Sequence, residues 1–421
     1  MRFRIPLLLA LVALLLGTCG APTSSARVTF MISGDATEKA TYDQLVAAFT
    51  RAHPDIDVAL VHIPGQSDFR KRLGADFAAG TPADIVLLNY RRYAAFAARG
   101  AFEPLGPYLD RSDVISTGDF YAEALAPFTW DGTLTCIPQN LSSLVVYYNK
   151  DLFDQAGVAH PAAGWSWDDF LAAARALTRD TDGDGTTDQY GIGTEVSLLR
   201  AAPFIWQNGG SLVDDPQHPT RLTLDSPEAL EAVRWFTELQ TRHHVAPDAA
   251  AEETEGSESR FLAGHMAMFL NSRRGVPTYR ASASFDWDVA ALPQGRQTAG
   301  VLHADGYCMA KSSASKGAAW RFIEFANSPE GQRIMAGTGR TVPSLRAVAE
   351  SPAFLDPAAK PASSRVFLDV IPDVRPVPVL PTWPDIEDLA GEELKRAFYG
   401  RASVEEAVAA AVERTRPFFD P

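Results

Sequence analysis

Residues 136–170 read CIPQNLSSLVVYYNKDLFDQAGVAHPAAGWSWDDF, and the order of strand, turn and helix signals in this stretch decides how the chain is built. Residues 144–148 form an apolar and aromatic run of strand length, which Asn149, Lys150 and Asp151 break into a turn. Ser166, followed by Trp167, Asp168 and Asp169, predicts a helix start: a cap hydroxyl meets the free backbone N–H groups, and carboxylates sit where the helix dipole favours negative charge. That helix is expected to reach Thr178.

The same alternation runs upstream. Residues 28–32 read as a β-branched and aromatic strand ending at Ser33-Gly34-Asp35, followed by a helix through Tyr42, Leu45, Val46 and Phe49. His53-Pro54 stops that helix, residues 58–62 give a second strand and residues 69–77 a second helix. Residues 83–88 are almost continuously apolar, as expected for a parallel strand covered on both faces. Alternating strands and helices imply an open α/β sheet, whose ligands bind beyond the carboxyl ends of its strands. Ser33 to Glu38 and Asn89-Tyr90 fall at those ends and are candidates on that ground alone. Further on, helices are expected over 167–178, 227–242, 258–263, 318–327, 386–399 and 404–416, with another starting at Ser328-Pro329. A strand pair is expected within 299–310, and proline-rich residues 377–384 read as extended.

Arg2 and Arg4 precede an apolar run over 5–16, shorter than the roughly 20 residues of a membrane-spanning helix. With small residues at Gly17, Thr18 and Gly20, this is the pattern of a secretory signal peptide over 1–26. Leu16-Gly17-Thr18-Cys19 looks like a lipobox, which would end the signal at 18 and lipidate Cys19; Thr18 departs from the usual Gly or Ala. Cleavage near Ala21 or Ala26, leaving a soluble protein, is the other reading. About 400 residues remain, which fits two lobes. The formal charge of -14 argues against a nucleic-acid partner, which calls for a basic face. Asp180, Asp182 and Asp184 followed by Gly185 match the start of a calcium loop, but Gly191 stands where an EF-hand needs Glu. A structural calcium closed by Asp188, or a plain exposed Asp-Gly turn, are the two readings; no other cofactor is expected. An exported glycoside hydrolase is the rival reading, because glycosidases also use clefts, aromatics and two carboxylates, but the sequence offers no recognisable carboxylate pair, G-x-S-x-G elbow, zinc-ligand spacing or P-loop.

Residues 136–170, together with Phe204-Ile205-Trp206-Gln207-Asn208-Gly209-Gly210, residues 261–269 (FLAGHMAMF), Asp305-Gly306-Tyr307 and residues 319–332, resemble family 1 extracellular solute-binding proteins of ABC transporters. The resemblance implies an α/β, two-lobe periplasmic-binding-protein fold (type II) hinged at the segments that cross between lobes, with 27–138 plus 301–346 as lobe I and 139–300 plus 347–421 as lobe II. It implies a monomer exposed at the outer face of the cytoplasmic membrane, touching the membrane only through a lipid anchor. Such a protein would bind a di- or oligosaccharide of the maltose or trehalose type and hand it to an ABC permease, without catalysis. Glycerophosphodiester receptors are the near alternative, and a sensor that docks on a receptor shares the fold. The resemblance also makes the segments holding Cys136 and Cys308 neighbouring strands, as a disulfide or as two buried thiols.

Sugars need flat apolar surface for the ring and planar polar groups for hydroxyls. Trp383, Tyr307 and Trp206 are the expected stacking residues, with Tyr90 behind them. Glu38, Asn89, Asn140, Asn271, Arg273 and Asp305 are the expected hydroxyl partners, Ser142 and Gly306 adjoin the cleft, and Arg273, Arg274 or Arg375 would receive a carboxylate or phosphate.

Overall fold

The structure, a computed structural model, describes residues 26–419; the signal peptide expected over 1–26, but for Ala26, and the lipidation site expected at Cys19 lie outside the described residues. The chain folds into two α/β lobes, each around its own sheet. In the first sheet the strands run in the order Ile56–Ile63, Ala26–Ser33, Ile85–Asn89, Asp305–Met309, Cys136–Pro138. The first three are parallel, and Asp305–Met309 runs antiparallel to both of its neighbours. Ile85 to Leu88 are buried, which is why that stretch is apolar without alternation. Phe30 occupies the centre, its ring 5.6 Å from Tyr42 on the Ala36–Ala52 helix and 5.7 Å from Tyr307.

The second sheet is Trp287–Ala290, Val145–Asn149, Met266–Asn271, Tyr190–Gly193. Its core is aromatic: Tyr147 meets Tyr279 edge-on at 4.8 Å and Trp287 at 5.8 Å. The Trp167–Leu177 helix starts as the sequence predicts, in a reciprocal cap where the Asp169 N–H donates to the Ser166 hydroxyl and the Ser166 N–H to the Asp169 carboxylate. Val404–Thr415 is capped the same way by Ser403 and Glu406.

The chain leaves the first sheet after Pro138 and enters the second at Val145; it leaves the second after Ala290 and re-enters the first at Asp305. These two crossings lie side by side, paired backbone to backbone at Ser142 and His303. A third passage follows, in which Val374–Arg375 pairs in parallel with Gly300–Val301. The expected strand pair at 299–310 is therefore split between a hinge ladder and the first sheet. The Trp383–Phe398 helix then packs on Leu198–Gln207, Pro227–Thr241 and Val404–Thr415, and also reaches the Tyr90–Ala97 helix of the first lobe. The stretch read as an extended loop up to Pro384 ends instead in this helix, because Trp383 and Pro384 fill its first turn, where proline's fixed φ and missing N–H cost nothing.

Cys136 and Cys308 face each other in register, with Cα atoms 4.3 Å apart, and are joined by a disulfide. The bond links positions 172 residues apart and so restricts the unfolded chain strongly. Replacing both cysteines with alanine should lower the unfolding free energy by about 2–4 kcal/mol. Urea unfolding of the oxidised protein and the double variant measures this, and equal midpoints with equal slopes would refute a stabilising bond.

Candidate functional site

A cleft of about 690 Å³ lies between the lobes. Its first-lobe wall is built from strand ends. Asn89 closes the Ile85–Asn89 strand and caps the next helix, its Oδ1 accepting the Arg91 N–H at 3.2 Å. Strand register sets Asp305 opposite Asn89, so the Asn89 amide donates to Asp305 at 3.0 Å, while Asn140 donates to the other Asp305 oxygen at 3.2 Å. Asn140 also bonds Gln139. Glu38 stands in the first turn of Ala36–Ala52 and forms an ion pair with Arg340. Burial drives the Glu38 carboxyl up to about 7 against the opposing pull of Arg340, with Asp305 and Asp35 adding to the rise.

The second-lobe wall carries charges of both signs, with Arg200, Arg274 and Lys395 beside Glu195, Asp388 and Glu392. Arg200, on the otherwise apolar Leu198–Gln207 helix, is buried, and its Nη2 reaches Asn271 and Glu195 only at 3.4 Å each. Asn271 is itself held by the Tyr279 hydroxyl at 2.7 Å and by Glu258. Burial lowers the Arg200 pKa, with Glu195 opposing and Arg274 and Arg91 adding to the fall. His303 reaches into the cleft from the hinge; burial first, then Arg200, Arg91 and Arg274, keep it well below its usual range, so its imidazole is neutral. Between the lobes, Arg91 pairs with Glu387, which also accepts the Trp383 indole N–H at 3.1 Å.

Among the described residues, ten buried side-chain polar atoms have no hydrogen-bond partner, and six of them belong to residues lining this cleft: Arg92 Nη1, Gln139 Nε2, Arg200 Nε and Nη1, His303 Nδ1 and Thr341 Oγ1. Buried polar groups are otherwise nearly always satisfied. Their concentration in one place marks a surface shaped for a polar ligand rather than for the protein's own contacts.

The sequence reading of the polar wall and of the aromatic residues meets different outcomes. Glu38, Asn89, Asn140, Ser142, Arg273, Arg274 and Asp305 all line the cleft. None of the four aromatic candidates does. Trp383 is fully buried and positions Glu387; Tyr307 is fully buried behind Phe30; Tyr90 is fully buried, donating to Leu302 O at 3.2 Å and accepting from Val377 N at 3.1 Å; Trp206 is buried in the Leu198–Gln207 helix. The sequence offers these rings as stacking surface, but their area is used for packing. Arg273 is likewise a packing residue at its charged end: it donates to Gly339 O at 2.8 Å and Ser364 Oγ at 3.0 Å, and its guanidinium lies 4.6 Å from the Phe354 ring centre and 5.0 Å from that of Phe367. Arg375 belongs to the hinge ladder outside the cleft lining, and Asn271 acts through Arg200. Gly306 is absent from the lining as well; a Cβ there would lie 2.9 Å from the Phe128 ring, so packing requires this glycine. Arg200, His303, Arg340 and Arg91 escaped the sequence reading. A signal existed for two of them, since Arg200 and His303 are single polar residues inside apolar runs, Leu198-Leu199-Arg200-Ala201-Ala202 and Val301-Leu302-His303-Ala304.

In the acidic loop, Asp180, Asp182 and Asp188 bring oxygens within 4.8 Å of one another, without Asp184. Both Asp180 oxygens accept backbone N–H groups, from Gly183 at 2.7 Å and Gly185 at 2.8 Å, and Asp188 accepts from Thr181 N at 2.7 Å. The loop is thus satisfied as an Asp-Gly turn.

Residues 33–333 match the bacterial extracellular solute-binding protein family. The chain belongs to this family. A putative binding protein of Brucella abortus is 26% identical over 369 residues, covering 86% of this chain and 85% of the relative. The mannitol-binding protein of Pseudomonas aeruginosa is 26% identical over 409 residues, covering 88% of each. The fold superposes on an ABC substrate-binding protein of Listeria monocytogenes in complex with cycloalternan, with TM-score 0.85 and 26% identity over 93% of this chain and 98% of that one. Maltose-bound MalE3 of T. maritima shares the fold at TM-score 0.78 and 23% identity, over 92% of this chain and 98% of that one. In this solute-binding protein the 690 Å³ cleft lies between the lobes.

The raised Glu38 pKa has a stability consequence. The folded chain keeps a proton on Glu38 that the unfolded chain releases above its ordinary 4.5, so the folded state binds more protons and stability falls as pH rises from about 4.5 to about 7. Glu38→Gln should be close to wild type near pH 5 and more stable by roughly 1–3 kcal/mol near pH 8. Urea unfolding at the two pH values tests this; the same offset at both would mean that Glu38 stays ionised throughout.

Proposed function

We propose that this protein is the substrate-binding component of a carbohydrate ABC importer, exported across the cytoplasmic membrane and anchored through Cys19. It captures a di- or oligosaccharide in the interlobe cleft and delivers it to the permease. The observation that carries the ligand reading is the concentration of unpartnered buried polar atoms in the cleft, beside the planar groups of Asn89, Asn140 and Asp305. Carboxylates and amides present paired donors and acceptors, which is what a ring of hydroxyls requires. The saccharide titles of the similar structures, cycloalternan and maltose among them, support the same class.

Binding works by closure. Residues 139–300 with 347–421 move as one body against the rest, turning about the paired crossings at Ser142 and His303. Ligand that touches both walls favours the closed form in proportion to the contacts it makes only there, and the closed form docks on the permease. The Arg91–Glu387 pair spans the two lobes and works in the same direction. No bond in the ligand is made or broken, and the acidic loop at Asp180 has at most a structural part through calcium.

Calorimetric titration of the mature protein with a saccharide panel, each sample checked for breakdown products, tests this reading. One or more intact saccharides should bind, and scattering should show compaction on binding. Asp305→Ala should weaken the bound saccharide by about 1–3 kcal/mol, because it removes an acceptor and frees two amide donors at once. Turnover of a glycoside, or silence toward the whole panel, would sink the proposal.

A further inference from the structure

The two walls of the cleft differ in chemistry. On the first lobe, Asp305 and Glu38 supply acceptor oxygens, already oriented by Asn89, Asn140 and Arg340. On the second lobe and hinge, Arg200, Arg274 and His303 supply donors; of the carboxylates on that wall, Glu387, Asp388 and Glu392 form no ion pair with them among the described residues, and only Glu195 reaches one of them. Arg200 is 6% exposed; its one carboxylate neighbour is Glu195, whose side chain is 70% exposed and which reaches a single nitrogen, Nη2, at 3.4 Å. The remaining guanidinium nitrogens, Nε and Nη1, are buried without partners. Arg274 forms no ion pair among the described residues and lines the same cleft. The nearest comparable cation, Arg91, is already neutralised by Glu387.

A neutral hydroxyl could satisfy the hydrogen-bonding capacity of Arg200 but would leave its buried charge compensated only by the exposed Glu195 carboxylate, and a poorly compensated buried charge is costlier than an unpaired neutral group. An oxyanion answers both needs, since adjacent guanidinium N–H groups form a fork that fits two oxygens of a carboxylate or phosphate. The neutral His303 ring adds one N–H donor without adding another charge to the cluster. The geometry points to a ligand that is hydroxylated at one end and carries a carboxylate or phosphate at the other, with its oxyanion seated on Arg200, Arg274 and His303. Resting on the saccharide reading above, this makes the transported solute an acidic saccharide: a uronate or aldonate, or a sugar phosphate.

Titrations with matched probes decide the matter: maltose against maltobionate, glucose against glucuronate and glucose 1-phosphate, and sn-glycerol 3-phosphate as an oxyanion without a sugar ring. At least one acidic saccharide should bind about tenfold or more tightly than its neutral match, a difference of about 1.4 kcal/mol. Its affinity should also fall with added salt. Whether carboxylates or the phosphate show the preference identifies the source of the oxyanion. Arg200→Gln should abolish the preference, whatever its effect on the neutral probe. Arg274→Ala, a substitution at an exposed position, should reduce the preference several-fold and keeps the test available should Arg200→Gln fail to fold. Equal affinity for neutral and acidic partners, unchanged in Arg274→Ala, overturns the acidic seat and leaves the saccharide reading intact. Binding of sn-glycerol 3-phosphate alone, lost in Arg274→Ala, overturns the saccharide reading and keeps the seat. Silence toward every probe overturns both.

Discussion

Ser142 and His303 exchange both backbone hydrogen bonds, Ser142 N–H to His303 O at 2.7 Å and His303 N–H to Ser142 O at 2.8 Å. They join two chain segments that each run from one sheet to the other. A backbone pair of this kind fixes the segments relative to each other while leaving the dihedrals on either side free to absorb rotation. It also determines what the cleft floor is made of. His303 is held with its ring inside the cleft, and the Arg273 N–H lies 3.4 Å from the Ser142 hydroxyl. The hinge and the ligand surface are thus partly the same residues, and a solute resting on the floor acts directly on the element that turns.

Around that floor the protein separates packing from recognition. Its large aromatic rings are used inside the lobes, where Phe30, Tyr42 and Tyr307 surround one sheet and Tyr147, Tyr279 and Trp287 the other. The cleft is lined largely by charged and amide groups, with Tyr42 and Phe69 as its aromatic members among the described residues. Burial is costly for such groups unless they are paired, and they are paired wherever the fold supplies a partner: Glu38 with Arg340, Arg91 with Glu387, Asp305 with two amides. Where the fold supplies only part of what is needed, as at Arg200, whose Nη2 alone has partners, a cost remains in the free protein that a bound oxyanion would relieve. Trp383 shows how closely the two roles adjoin: its ring packs in the lobe, while its indole N–H orients the carboxylate that bridges to Arg91.

The sequence by itself determined the layout. Period, cap and breaker signals are local: Ser166 and Asp169 cap a helix because of what stands three residues away, and residues 85–88 form a buried strand because they are apolar on both faces. Strand ends follow from the same signals, so Asn89 and Glu38 could be placed at the cleft before any coordinates, while Asp305 and Asn140 are placed there by the resemblance to the family. Tertiary structure alone decided which side chains face the ligand and which are consumed in packing. A tryptophan beside prolines and a tyrosine after a strand-end glycine look alike in sequence whether they are exposed or enclosed; Trp383 and Tyr307 are enclosed because distant segments cover them. Arg273 and Arg200 make the reverse point. Both are buried arginines near the cleft, but Phe354, Phe367, Gly339 and Ser364 come from 66 to 94 positions away to occupy the first, and nothing comes to occupy two nitrogens of the second. Pairing of charge and hydrogen-bonding groups depends on contacts between remote parts of the chain, and those contacts exist only once the two lobes have folded and met.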